Sequence, residues 1–163
     1  MNGKIVAGSI VLCAALAGGG LWYTQQYAYY TVIDPARAPQ MTLVPATGGA
    51  PVPLVISGFT GIDSTSSPIR FRACFTTATP LTELAANYAP YQQATPLIGP
   101  YWFSCFDAAA LTRALADGTA RAFLAQKSVA PGVDRVIAVL PDGHAYAWQQ
   151  LDPAVPQDTS MEE

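Results

Sequence analysis

The sequence predicts an α+β fold: an N-terminal transmembrane helix followed by a small antiparallel sheet with two helices packed on one face. Three observations carry this. Residues 5–23 form an uncharged apolar run, and tyrosines follow it at once. Beyond the run, alternating apolar and polar residues mark strands, then two capped helical stretches, then three further strands closing in a hairpin. The composition agrees, with 51% hydrophobic and only 12% charged residues and a mean hydropathy of +0.25. A disordered chain needs the opposite balance, and an ordinary soluble surface needs more charge.

The anchor comes first. At 1.5 Å per residue the stretch from Ile5 to Tyr23 reaches about 28 Å, close to the hydrocarbon thickness of a bilayer. Trp22, Tyr23 and Tyr27 follow its apolar body, and such rings favour the headgroup interface. Residues 1–30 are therefore read as a transmembrane anchor with an aromatic belt, in contact with lipid through residues 5–23. Lys4 is the one charged side chain before Asp34. The positive-inside rule then places the N-terminus in the cytoplasm and the rest of the chain in the periplasm, as a single-pass inner-membrane protein. A signal cleaved after Ala17 is the competing reading, since Ala15-Leu16-Ala17 fits a small-x-small site, but the apolar run continues past it. Ser9, Cys13, Ala17 and Gly20 share one helix face, a pattern that export sequences produce by chance.

Residues 31–52 contain Pro35, Pro39, Pro45 and Pro51 with Gly48-Gly49 and read as a linker. Residues 53–151 read as the exported domain. Within it, residues 53–59 predict a short strand ended by the Gly61-Ile62-Asp63-Ser64 cluster. Residues 69–75 predict a half-buried strand, with Phe71, Ala73 and Phe75 inward and Arg70, Arg72 and Cys74 outward. Thr79-Pro80 opens a helix as N-cap and first helical residue, with Leu81, Leu84 and Tyr88 inward. Residues 89–104 hold three prolines and several rings and read as an ordered loop. Asp107 caps a second helix that Gly118 stops. Strands follow over 121–129, 134–140 and 144–151, the last two joined by Pro141-Asp142-Gly143. Residues 152–163 read as a disordered acidic tail.

Cys74 and Cys105 both lie beyond the span, where an oxidising compartment favours a disulfide. Linking them would add roughly 3.5 kcal/mol by chain-entropy reasoning, a large share for a small domain. Cys13 sits inside the apolar run. His144, the single histidine, follows the hairpin turn. No catalytic residue, metal cluster or cofactor motif is called: metal-ligand spacing, Cys-x-x-Cys-His, phosphate-cradling glycine loops and Gly-x-Ser-x-Gly are all missing from the sequence. With a formal charge of −3 and scattered basic residues, the chain does not read as a nucleic-acid binder. What remains is aromatic. Tyr91, Tyr101, Trp102, Tyr146 and Trp148 are the candidate binding surface, against the reading that they pack a core around the disulfide.

At these segments the chain resembles an uncharacterised family of short single-pass bacterial proteins, classed as a domain of unknown function. The likeness is carried by MNGK at the start, SSPIRFRACFT (66–76), YWFSCFDAAAL (101–111), GVDRV (132–136) and PDGHAYAWQQL (141–151). It implies an anchor and a small exported domain, with no activity or cofactor. Some relatives carry the label histidine kinase; this chain has neither ATP-binding glycine motifs nor room for a kinase domain, and the label does not fit it.

The functional expectation is a membrane-anchored, non-enzymatic periplasmic module that binds or supports another envelope protein. Two alternatives stand beside it: a small thiol-redox or hydrolytic enzyme using Cys105 or His144, and a binder of an apolar small molecule in a cavity lined by Trp102, Tyr146 or Trp148.

Overall fold

The computed structural model of the protein describes residues 2–155. Helix α1 (Gly3–Gln26) starts at Asn2, whose side chain accepts a hydrogen bond from the Lys4 amide, and none of its residues is buried. Eight strands follow: β1 (Tyr30–Ile33), β2 (Thr42–Leu43), β3 (Val52–Pro53), β4 (Ile56–Ser64), β5 (Arg72–Thr77), β6 (Arg121–Ala130), β7 (Val133–Val139) and β8 (His144–Leu151). Helices α2 (Leu81–Asn87) and α3 (Ala108–Ala116) lie between β5 and β6. Six strands form one antiparallel sheet in the order β1-β4-β5-β8-β7-β6, and β2 pairs with β3 in a second, two-stranded sheet.

This corrects the expected architecture of a small sheet with two helices on one face. Among the described residues there are three α-helices and two sheets, of six and two strands, and α2 and α3 belong to different cores. Leu84 of α2 packs with Phe71, Ala73, Phe75, Phe123, Ile137, Val139, Ala145 and Ala147. Leu111 of α3 packs with Ile62, Phe103, Phe106, Val136, Ala138 and Trp148. Neighbouring strand residues such as Val136 and Ile137, or Ala147 and Trp148, thus point into opposite cores, as a period of two requires. Strands that are apolar on both faces need cover on both, so one helix goes to each side.

Other local expectations shift for identifiable reasons. β4 does not end at the Gly61-Ile62-Asp63-Ser64 cluster but runs through it to Ser64. A register shift between Ser57 and Thr60, with Gly58 at φ 65°, absorbs the irregularity as a bulge. Residues 68–70 form a short 3₁₀ turn, and β5 begins only at Arg72. Pro80, not Thr79, is the N-cap of α2, with no side-chain cap bond. Asp107 caps α3 through its carboxylate, which accepts from the Ala110 amide at 2.9 Å, and Gly118 takes φ 78° just beyond it. Gly143, at φ 86°, closes the β7–β8 hairpin.

The proline-rich stretch 31–52 contributes to the sheets and the core. It holds β1 and β2, and Met41 and Leu43 are fully buried. It also protects the β6 edge: the Val44 amide donates to the Leu124 carbonyl (2.9 Å), while the Leu124 amide donates to Ala89 and the Tyr91 amide to Ala122. An edge strand left open would invite pairing with other chains. Of the expected tail, residues 156–163 lie outside the described residues; Asp152 is buried, and its amide donates to the Gly132 carbonyl.

Candidate functional site

The last turn of any helix leaves carbonyls without partners. In α1 the Gln26 carbonyl is taken by the indole of Trp102, whose Nε1 donates to it at 2.6 Å. The Gln26 side-chain oxygen accepts from the Tyr101 amide at 3.1 Å, and the Tyr27 and Tyr101 hydroxyls are hydrogen-bonded to one another. Rings close the contact. Trp22 stacks on Tyr101 with centroids 6.3 Å apart, Tyr27 stacks on Trp102 at 6.4 Å, and Tyr30 meets Trp102 edge-on. Tyr23 in turn stacks on Tyr27. The aromatic belt of the anchor and the aromatic loop of the domain, 75 residues apart in sequence, form one collar.

Three devices hold the loop in place. Cys74 and Cys105 are joined, Cα to Cα 6.3 Å, tying β5 to the loop's far end. Arg72, almost wholly buried, donates from Nε to the Leu97 carbonyl (2.7 Å), from Nη1 to Ile69 and Phe71, and from Nη2 to Ile98. It was expected on an exposed strand face. Burial lowers its pKa to about 10, which still leaves it cationic at neutral pH, over the ring of Phe106. Gln150 completes the grip: its Oε1 accepts from the Trp148 indole and the Thr95 amide, and its Nε2 donates to the Gln93 carbonyl.

The five candidate surface residues therefore divide. Tyr101 and Trp102 lie in the collar. Trp148 is fully buried, and it and the half-buried Tyr146 pack against Phe106, which makes them part of the core around the disulfide. Burial pushes the Tyr146 phenol above its usual pKa. Tyr91 stands apart, beside the first residues of β6, where its amide donates to Ala122. A groove of about 650 Å³ beside it is lined by Tyr91, Leu115 and Arg121 among others, and not by Trp102, Tyr146 or Trp148.

His144 is exposed on the hairpin, its Nδ1 3.0 Å from Asp142 of the same turn. The His144 amide, donating to Asp142, draws that carboxyl below the usual carboxylate range. Cys105, held in the disulfide, presents no thiolate.

The sequence reading missed one cluster. Asp134 opens the strand expected over 134–140, where a carboxylate is ordinarily solvated, yet it is fully buried. Its carboxylate accepts from the Tyr91 hydroxyl (3.1 Å), the Ser128 amide (3.0 Å) and Lys127 Nζ (3.2 Å), and the same ammonium reaches Asp152 at 2.6 Å. Burial, together with the Asp134 charge, raises the Tyr91 phenol, and Asp152 raises the Lys127 ammonium. The cluster ties the β6–β7 hairpin to Tyr91 and Asp152. The signal available in sequence was the seven-residue spacing of Lys127 and Asp134 across a hairpin. Among the described residues, no group of three His, Cys, Asp or Glu is placed to hold a metal ion.

Fold and collar together define a disulfide-braced, two-core α+β domain seated on the end of α1, the one helix among the described residues long and apolar enough to cross a membrane, with a mean hydropathy of 2.0 over an 18-residue window. The chain belongs to a family of unknown function (DUF6446), whose model matches residues 41–158. The match begins at Met41, the first fully buried residue after the anchor. No curated protein and no solved structure matches the chain.

Proposed function

We propose that this protein is a non-enzymatic envelope module: α1 anchors it with the N-terminus in the cytoplasm, and the periplasmic domain binds or supports another envelope protein. The collar is the observation that carries this reading. Hydrogen bonds from Trp102 and Tyr101 to Gln26 and stacked rings hold the domain against its anchor. A domain pre-oriented on the membrane meets a membrane-held partner with less orientational entropy to lose. The disulfide and the lone Lys4 before the span support the periplasmic side for the domain.

The test is extraction of the full chain from its native membrane in mild detergent. A stoichiometric second protein is expected, and a flexible Gly-Ser spacer inserted after Ala28 should lower its recovery several-fold without changing the domain's melting. Repeated recovery of a lone monomer overturns the proposal.

A further inference from the structure

Helix α1 marks the level of the bilayer. Its apolar run ends at Tyr23, and the rings of Trp22 and Tyr27 lie where hydrocarbon gives way to headgroups. The loop over residues 97–103 (LIGPYWF) is seated at that same level. Tyr101, in contact with Trp22 and Tyr27, remains 64% exposed, and Ile98, three residues earlier, is 86% exposed. Ile98 lines one shallow cavity with the collar ring Tyr30 and with Arg70 and Arg72.

A single exposed isoleucine would need no explanation. This one sits in a stretch, residues 84–106, without a charged side chain. It is held out by the Arg72 grip on the Leu97 and Ile98 carbonyls rather than left to fold back. Tyr29, between α1 and β1, adds a second sign: it is 58% exposed and takes φ 75°, a conformation bulky residues avoid. Strain kept at an exposed ring beside the anchor points to a use for that ring.

We propose that residues 97–103 are a second membrane contact, with Ile98 and Tyr101 entering the headgroup–acyl boundary beside α1, so that the domain lies against the bilayer. The contact rests on α1 spanning the membrane and is independent of any protein partner. The lipid surface is the occupant because the patch is continuous with a segment already in lipid, and uncharged apolar and aromatic side chains are what that boundary accepts.

The test uses the full chain with Cys13→Ser, reconstituted into vesicles of phosphatidylethanolamine and phosphatidylglycerol, carrying one nitroxide at Ile98→Cys, Leu21→Cys or His144→Cys. His144 pairs with Thr76 at the opposite end of β5 from Arg72, so its label reports water. Collision with a water-soluble nickel chelate should be several-fold lower at position 98 than at 144, with oxygen collision raised, as at position 21. Equal chelate access at 98 and 144, with 21 shielded, overturns the second contact and leaves the anchor standing. Chelate access at 21 overturns both. Ile98 is so exposed that its replacement leaves the core untouched.

Discussion

The two faces of the large sheet are packed by different means. On one, α2 and the β2–β3 arm bring Leu84, Met41 and Leu43 onto Phe71, Phe75, Phe123, Ile137 and Val139, an apolar filling from strand to helix. On the other, α3 and the loop before it, through Phe103 and Phe106, cover Ile62, Val136, Ala138 and Trp148 with help from a disulfide, a buried guanidinium and a buried glutamine. Hydrophobic burial is non-directional and stabilises whatever fills the space. Hydrogen bonds and a covalent link fix where a loop goes. The first face gives the domain stability; the second also positions the loop that meets the anchor.

Removing the disulfide by Cys74→Ser with Cys105→Ser should have the largest effect, a loss of roughly 2–5 kcal/mol, and should free the loop as well. Thermal unfolding together with amide exchange over residues 97–103 reads both, and unchanged exchange in the loop would break the comparison. Leu84→Ala on the other face should cost roughly 2–4 kcal/mol through the cavity it leaves, while collar exchange stays as in the parent protein. Trp102→Phe leaves a smaller aromatic ring and removes the donor to Gln26, at about 1 kcal/mol for the hydrogen bond; the readout is faster exchange at the end of α1 with little change in domain melting.

The smallest effect concerns pH. Lys127 holds the Asp152 carboxyl below its ordinary range. A carboxyl depressed in the folded state stabilises above its unfolded pKa, and that contribution is lost as pH falls through the folded value. Stability should therefore decline in acid below the ordinary aspartate range, and Asp152→Asn should flatten that part of the profile in equilibrium unfolding. An unaltered slope in the variant would assign the acid response elsewhere.

Much of the local structure was legible because it is written in short-range chemistry. The anchor follows from an uncharged run, the start of α3 from Asp107, its end from Gly118, and the β7–β8 turn from Pro141-Asp142-Gly143. The pairing of Cys74 with Cys105 followed from their being the two cysteines outside the span. Arg72 was misplaced because it is polar in an alternating strand, and alternation ordinarily puts polar residues in water; Asp134 was misplaced because a carboxylate at the start of a strand is ordinarily solvated. Here the carbonyls of Leu97 and Ile98 and the Lys127 ammonium replace that water. Trp148 and Trp102 carry the same side chain, yet one is core and the other joins the collar.

The amino-acid order by itself determined the anchor, the α+β class, the Asp107 cap and Gly118 stop of α3, the β7–β8 turn, and the family. Those depend on length, hydropathy and neighbours within a few residues. Only the tertiary structure decided that α2 and α3 take opposite faces, that β4 runs through its glycines, and that Tyr101 and Trp102 close on Gln26. Each of these is a choice between partners beyond the reach of local sequence, made by which apolar face is left uncovered and which polar group is left unpaired.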